Sequence, residues 1–368
     1  MNRYSPQVIA LGEVMLRFDS GKGHAHASRS LQVWVGGDEY NIIRSLRGCF
    51  GLWTAIVTAL TDSPVGRIVE DLILQSGVDT LLVRWVPGDA AGHRARARRS
   101  FAERSFGTRD VSGVGARAGT AVSRLRKGDI DWDAVFADGT RWFHTGGVFA
   151  CLSETTVGVA EEAMAVARRH GVTVSYTPIC RPGTPGNRSR IDRTRETDLR
   201  LAQHADVVVG ALGLTATSHV GVRTDEVPDV LAHVAKLVPQ ATVLATTLHE
   251  QQPTGLSNSS AAWSAPTGVV TSPEMPGLHV LDRIGSADGF AAGLIYGLLT
   301  VADTLPADLT VTSLQRALAY ATAHGALGGF VWIIGRTRGR CPRCGVRPGR
   351  WSRSSRSGWR YRATASGG

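Results

Sequence analysis

The chain has 368 residues, of which 43% are hydrophobic and 20% charged, a balance typical of a soluble globular protein with one large α/β domain or two smaller ones. Its most apolar run, residues 325–335, is much shorter than the roughly 18 residues of a membrane span, so we expect no transmembrane segment. Five cysteines do not make a disulfide framework in so long a chain, and CPRC at 341–344 lacks the second pair that a closed zinc site requires. No metal site is predicted.

The net charge of +10 comes from one end of the chain. Residues 331–368 contain ten arginines and no Lys, Asp or Glu, so the remainder is balanced at 31 basic and 31 acidic residues. A balanced body argues against a nucleic-acid-binding domain. Glu13 and Arg17 interrupt the first apolar run and no small-residue cleavage site follows, so we expect no signal peptide and a cytoplasmic location.

Strand and helix patterns alternate over about 300 residues. Apolar runs of strand length occur at 8–19, 54–60, 141–150, 171–179, 205–212 and 241–248. Apolar residues at helical spacing occur at 36–51, 65–77, 155–171, 225–238 and 309–327. The alternation, without internal repeats, predicts an α/β fold in which helices cover both faces of a mostly parallel sheet. Ligands are then expected beyond the carboxyl ends of the strands.

An arginine-rich segment, HRARARR at 93–99, has its arginines at a period of two. In a strand, Arg94, Arg96 and Arg98 would therefore share one face. Two interpretations stay open at this point. The strand is either a solvated sheet edge or a cationic surface over an anionic substrate.

The chain loses this organisation at about Gly328. The following residues show no periodicity and no acidic side chain, and they are rich in Arg, Gly, Ser and Trp. Such a composition buries too little apolar surface to order itself, which predicts a disordered tail. A basic interaction tail and a reading-frame change in the coding sequence are the two explanations for it.

The turn DRIGSADGFAAG at 282–293 carries an acid just before a predicted helix. If Asp288 opens that helix, the N–H groups of residues 285–288 point at one spot, with the positive end of the helix dipole behind them. That spot suits a phosphate, and an acid beside it could accept a proton from an attacking hydroxyl. The alternative is an aspartate that only caps a buried helix.

Six stretches carry a family resemblance in chain order. They are GEVMLRFDSGKG, WVGGDEYNIIRSLRGCFG, TALTDSPVGRIVEDLILQSGVDT, RKGDIDWDAVF, RWFHTGGVFACLS and DRIGSADGFAAGLIYGLLT. Together they resemble the ribokinase-like (PfkB) carbohydrate kinases, and most closely the 2-keto-3-deoxygluconate kinases, over about residues 7–327. The resemblance implies a three-layer α/β/α kinase domain at 1–327, with a small β lid formed within about 14–36 and 90–110. Residues 328–368 form the tail outside it.

The resemblance also implies an activity and its residues. The activity is transfer of the ATP γ-phosphate, with Mg²⁺, to a hydroxyl of 2-keto-3-deoxygluconate, giving the 6-phosphate. Asp288 would be the general base, and the N–H groups of Gly285, Ser286 and Ala287 would form the anion hole. The implied substrate-binding residues are Gly36, Gly37, Asn41 and Arg181. The lid could also join two copies of the chain, and neither a membrane nor a nucleic-acid partner is implied.

The chain departs from the family pattern at two polar segments. In YTPICRP, Thr177 and Ile179 replace a family aspartate and asparagine, and Ala211, Leu212 and Gly213 replace an Asn-Glu-Glu stretch that organises Mg²⁺. These changes support a second hypothesis, a kinase-fold protein that binds a sugar acid or nucleotide without turnover. A third hypothesis is a nucleic-acid contact through residues 336–362.

Overall fold

The computed structural model describes residues 5–20, 27–88, 95–103, 112–114, 119–137, 139–179, 188–210, 212, 225–252, 255–278, 285–301, 305, 309–330, 350–353 and 359–362. Among these residues, no helix is long and apolar enough to cross a membrane.

Strands and helices occur throughout the described part of the chain. The strands are β1 (Val8–Leu11), β2 (Met15–Asp19), β3 (Gln32–Gly36), β4 (Thr54–Asp62), β5 (Val83–Pro87), β6 (Arg98–Glu103), β7 (Ser112–Val114), β8 (Trp142–Gly146), β9 (Thr173–Thr177), β10 (Val207–Val209), β11 (Val243–Gln252), β12 (Gly255–Ser264), β13 (Gly268–Thr271), β14 (Met275–Leu278), β15 (Arg350–Arg353) and β16 (Trp359–Arg362). The helices are α1 (Asp38–Phe50), α2 (Pro64–Gln75), α3 (Trp132–Phe136), α4 (Gly147–Ala150), α5 (Glu154–Arg169), α6 (Arg188–Ala202), α7 (Val227–Leu237), α8 (Ser286–Val301) and α9 (Val311–Phe330).

A large, mostly parallel sheet lies at the centre. Its strands follow the order β13, β12, β11, β10, β9, β8, β1, β4, β5, and β14 pairs with β12. Every neighbouring pair from β11 to β5 is parallel, whereas β12 pairs antiparallel with β11, β13 and β14. The parallel strands therefore bring their carboxyl ends to one edge, beside the turns that lead into the helices.

Successive residues of one strand pack into different cores. In β1, Ile9 and Leu11 belong to one apolar cluster, whereas Val8 and Ala10 belong to a second. The first cluster includes residues of α3, α5 and α7, and the second includes residues of α1, α2, α8 and α9. Strands buried on both faces are continuously apolar, which explains the runs in the sequence. The predicted three-layer α/β/α class is confirmed.

A second, smaller sheet stands beside the main one. Its order is β3, β2, β6, β7, with β2 antiparallel to β3 and parallel to β6. Three of its strands lie in the two regions predicted to form a lid, and β7 at Ser112–Val114 extends it by one strand. Phe18 and Phe101 stack on one face of this sheet, with ring centroids 5.1 Å apart.

Several elements differ from the sequence prediction. The run at 141–150 ends as a strand at Gly146 and continues as the short helix α4. The sequence patterns also did not predict the short helix α3, which begins at Trp132. The sequence patterns did not predict α6 or the strands β12 to β14. Helix α9 continues three residues past the predicted boundary, and β15 pairs with β16 in the arginine-rich segment. The other residues of 331–368, for which the sequence predicts disorder, lie outside the described residues.

Candidate active site

The candidate site lies where the first turns of α1 and α8 meet the carboxyl ends of central strands. Gly12 follows β1, Gly146 ends β8, and Gly37 precedes α1. In a doubly wound sheet this edge is where ligands bind. The structure therefore brings the two glycine-rich turns, which are about 250 residues apart in the chain, to the expected place.

Asp288 lies in the first turn of α8, and it is not the cap. The helix begins at Ser286, and the N–H of Gly289 donates to the carbonyl of Gly285 over 2.8 Å. Gly285 has φ of +87°, a conformation that glycine adopts without steric cost. The Ser286 hydroxyl donates to the carbonyl of Gly325 on α9 over 2.8 Å, which fixes the start of the helix. Asp288 is therefore not the N-cap of α8, because the helix begins two residues earlier, at Ser286.

Asn41 contacts Asp288 directly. Its side-chain Nδ2 donates a hydrogen bond to Asp288 Oδ2 over 2.8 Å, which joins α1 to α8. Both residues were predicted as site residues, but Asn41 was expected to contact a sugar and not Asp288. The other amide atom, Asn41 Oδ1, is buried and has no hydrogen-bond partner among the described residues. The amide thus orients the carboxylate through one atom and retains an acceptor for a further donor.

The two glycines before α1 have different roles. Gly37 has φ of +152°, and a Cβ there would lie 2.0 Å from the Glu13 carbonyl oxygen, so backbone packing requires glycine. A Cβ on Gly36 would meet only Asn41 Oδ1, at 3.9 Å. Nothing in the described protein therefore requires glycine at Gly36, and the open space beside it suits a ligand.

Glu39 is a buried acid that sequence reasoning missed. It is 1% exposed, and its Oε1 accepts a hydrogen bond from the Phe149 N–H over 3.3 Å. Burial raises the pKa of the Glu39 carboxyl well above 4.5, and Asp38 and more weakly Asp288 act in the same direction. Backbone hydrogen bonds from Glu39 itself and from Phe149 oppose the rise in pKa. An acid in the first turn of a helix is common, so the sequence alone gave no sign of burial.

The arginine-rich segment has a role that neither sequence interpretation anticipated. Arg98 opens β6, is 7% exposed and forms an ion pair with Glu13, which is 2% exposed. Arg98 is thus neither solvated nor an unpaired cation above the site. Its pair with Glu13 ties the second sheet to the segment between β1 and β2. The backbone of Arg96 forms an isolated parallel β-bridge with that of Thr120. Arg94 lies outside the described residues.

The residues that replace the family's polar segments lie near the same edge. Thr177 ends β9, and its buried Oγ1 has no hydrogen-bond partner within the described ranges. The backbone N–H of Ile179 donates to Asp198 on α6 over 3.2 Å, and the Tyr176 hydroxyl donates to the same oxygen over 2.7 Å. Arg181, the remaining predicted substrate residue, lies outside the described residues.

The segment expected to organise Mg²⁺ is apolar where it can be seen. Leu212 is fully buried in an apolar cluster, with φ of +49°, and its neighbours Ala211 and Gly213 lie outside the described residues. Within the described residues, no group of three or more His, Cys, Asp or Glu side chains could hold a metal ion.

Solved structures with this arrangement of strands and helices identify the fold. The 2-dehydro-3-deoxygluconokinase of Thermotoga maritima superposes with a TM-score of 0.72 at 24% identity, covering 88% of this chain and 93% of that one. The chain has the ribokinase-like fold. A PfkB protein of Polaromonas sp. JS666 (TM-score 0.67, 23% identity, 88% and 95% covered) shares the ribokinase-like fold. So does the ATP-bound fructokinase of Xylella fastidiosa (TM-score 0.63, 18% identity, 89% and 93% covered). No protein-family model matches the chain.

Proposed function

We propose that the chain is an ATP-dependent carbohydrate kinase with Asp288 as its general base. The observation that carries the proposal is the hydrogen bond from Asn41 to Asp288. It orients a carboxylate in the first turn of α8, three residues after Gly285. A base must be oriented towards the hydroxyl whose proton it accepts. The ribokinase-like fold and the similar sugar kinases support this assignment.

The residues present suit a phosphate better than a metal. The first N–H groups of a helix have no partner inside it, and those of Gly285, Ser286 and Ala287 would surround a transferring phosphoryl group. Each such donor is commonly worth about 3 kcal/mol of transition-state stabilisation. ATP, when bound, supplies the γ-phosphoryl group, and Mg²⁺ offsets the charge of its phosphates. The described side chains offer Mg²⁺ no cluster of carboxylates, so the phosphates would supply most of its ligands.

The substrate that we propose is 2-keto-3-deoxygluconate or a related sugar acid. A sugar would lie in the open space beside Gly36, and one of its hydroxyls could donate to the unpartnered Asn41 Oδ1. The proton of the reacting hydroxyl would pass to Asp288. Arg181 would bind the carboxylate through paired hydrogen bonds, as the family resemblance implies. The similarity to the 2-dehydro-3-deoxygluconokinase of Thermotoga maritima supports this choice of sugar.

The test is ADP release from the full chain with ATP, Mg²⁺ and a panel of sugars and sugar acids. We expect ADP release that depends on 2-keto-3-deoxygluconate and is lost in Asp288→Asn, which keeps the shape of the side chain. Unchanged turnover in that variant would refute Asp288 as the base. Turnover of a neutral sugar alone would retain the kinase and refute the choice of substrate.

A second candidate function is binding without turnover. Leu212 is buried where the family pattern has a polar stretch, and Thr177 Oγ1 has no hydrogen-bond partner in the described chain. Calorimetry that detects ATP and sugar binding, together with no phosphorylated product, would favour this function over the kinase.

The second sheet is proposed to act as a lid and as a contact between two copies in the cytoplasm. Val33 is 42% exposed and Phe101 45% exposed, on the face where Phe18 stacks. Exposed apolar residues that share a sheet face are typical of an interface. Light scattering should give a dimer that Phe101→Glu dissociates, and a monomeric wild type would contradict the contact.

A further inference from the structure

A buried carboxyl group lies in the same helical turn as Asn41, which donates to the proposed base, and it has no assigned role. Glu39 occupies the first turn of α1, two residues before Asn41. Its side chain points into the protein, where it meets the ends of two central strands. A Cβ on Gly12, after β1, would lie 2.5 Å from Glu39 Oε2, and a Cβ on Gly146, at the end of β8, would lie 3.0 Å from Glu39 Oε1. Both glycines therefore make room for this carboxyl group.

The carboxyl group also contacts a third element. The Phe149 N–H of α4 donates to Oε1, whereas Oε2 has no hydrogen-bond partner in the described part of the chain. A buried ionised oxygen without a donor is far more costly than a buried O–H group. The geometry thus favours the neutral acid, with its proton on Oε2.

We propose that Glu39 is a positioning residue whose carboxyl group wedges the first turn of α1 against the ends of β1 and β8, and thereby sets the Asn41 amide against Asp288. The wedge acts through the helix, since the Asn41 N–H donates to the Gly37 carbonyl over 2.7 Å in the same turn. This role rests on the proposed function of Asp288.

The charges around Glu39 give the role a pH dependence. Asp38 lies on the same helix, Asp288 faces it from α8, and the Tyr176 hydroxyl faces it from β9. At the contacts with β1, β8 and α4 it meets two glycines and a backbone N–H. Ionisation would place a second negative charge near Asp288, where the phosphates must approach. Activity should therefore decline as pH rises through the ionisation of Glu39.

The experiment compares Glu39→Gln, Glu39→Ala and wild type as full chains. In Glu39→Ala we expect kcat to fall by about a hundredfold with the ATP KM little changed, because a small displacement of a catalytic group costs about this much. The isosteric Gln should recover most of the lost activity and remove the decline in activity with rising pH. Equal losses in both variants, or full activity in Glu39→Ala, would overturn the proposal.

A second measurement needs no activity. Below about pH 4.5 the carboxyl is protonated in both the folded and the unfolded chain, so it adds no pH dependence there. Above it, only the folded chain keeps the proton, so wild-type stability falls as pH rises towards the folded pKa. The unfolding constant of wild type should rise about tenfold per pH unit relative to that of Glu39→Gln. Identical pH slopes would refute the neutral acid.

A matched control separates positioning from stability. Asp206 accepts from the Val174 N–H at the opposite end of the sheet, over 2.8 Å, and burial also raises the pKa of its carboxyl. Asp206→Asn should alter the pH dependence of stability but leave kcat unchanged. In ¹⁵N spectra, the Asn41 side-chain amide should show a shift that accompanies the ionisation of Glu39 in wild type and in Asp206→Asn, and this shift should be absent from Glu39→Gln. An amide signal indifferent to Glu39→Gln would overturn the link to Asn41. If wild type shows no turnover, only the proposed kinase activity is refuted, because the stability and amide measurements still decide the role of Glu39.

Discussion

Replacing Asn41 by aspartate tests the contact that organises the candidate site. The change keeps the size of the side chain but puts a carboxylate 2.8 Å from Asp288 Oδ2, where the wild type has a donor. Two unit charges at that distance repel by about 6 kcal/mol at an effective dielectric constant of 20, so the pair will hold one proton between them. A base that holds a proton cannot accept another. We therefore expect turnover to collapse at neutral pH and to recover partly at alkaline pH, as the shared proton leaves.

The control for this change is Asn41→Ala. It removes the hydrogen bond without adding charge, and a hydrogen bond to a charged group is worth about 2 kcal/mol, or about thirtyfold in rate. Its kcat should fall by that factor with no displacement of the pH profile. The assay is ADP release with 2-keto-3-deoxygluconate from pH 5 to 9. Identical pH profiles for the two variants would refute the contact between Asn41 and the base.

Three further substitutions test other parts of the structure. Gly36→Ala should leave the midpoint of thermal unfolding unchanged, because a Cβ there meets only one atom of the described residues, at 3.9 Å. It should raise the sugar KM at least about tenfold. Gly48→Ala, where a Cβ meets no described atom within 4 Å, should leave KM unchanged. A normal sugar KM in Gly36→Ala would place the sugar elsewhere. Gly293→Ala would put a Cβ 2.5 Å from a carbonyl oxygen of α9, so denaturant unfolding should show a loss of about 1–3 kcal/mol, and an unchanged midpoint would contradict this packing. Arg98→Leu should cost about 3–5 kcal/mol because it leaves Glu13 buried without its partner, and adding Glu13→Gln should recover part of that loss. No recovery in the double variant would show that the ion pair is not the cause.

The sheet could be predicted where burial leaves a simple pattern. Strands such as Val207–Val209 are covered on both faces and contain only apolar residues, so they stand out in the sequence. Helix α6 does not stand out in the sequence, because one of its buried residues, Asp198, is an acid rather than an apolar residue. Its hydrogen-bond partner, the Tyr176 hydroxyl, lies on another element, β9. The strand β12 is hidden for a similar reason. Its Ser260 is buried and shares a 2.6 Å hydrogen bond with the Thr322 hydroxyl of α9. A buried serine does not show as a hydrophobic position in the sequence.

The candidate site was predictable in its residues more than in its contacts. The family resemblance carried by the two glycine-rich turns implied Gly37, Asn41 and Asp288 as site residues. That Asn41 bonds to Asp288, and that Glu39 is buried behind it, depends on how α1 meets α8 and the strand ends. Local pattern carries no information on such contacts. For the same reason the pairing of Arg98 with Glu13 could not be foreseen from the arginine spacing alone.

The most direct test of the central claim is transfer of ³²P from γ-labelled ATP to 2-keto-3-deoxygluconate, measured for wild type and Asp288→Asn beside calorimetric binding of the sugar. The account predicts labelled sugar phosphate from wild type. For the variant it predicts product formation at least about a thousandfold slower with sugar binding retained, because removing the base removes proton acceptance and not the binding surface. Equal transfer by both proteins would contradict the assignment of Asp288 as the general base.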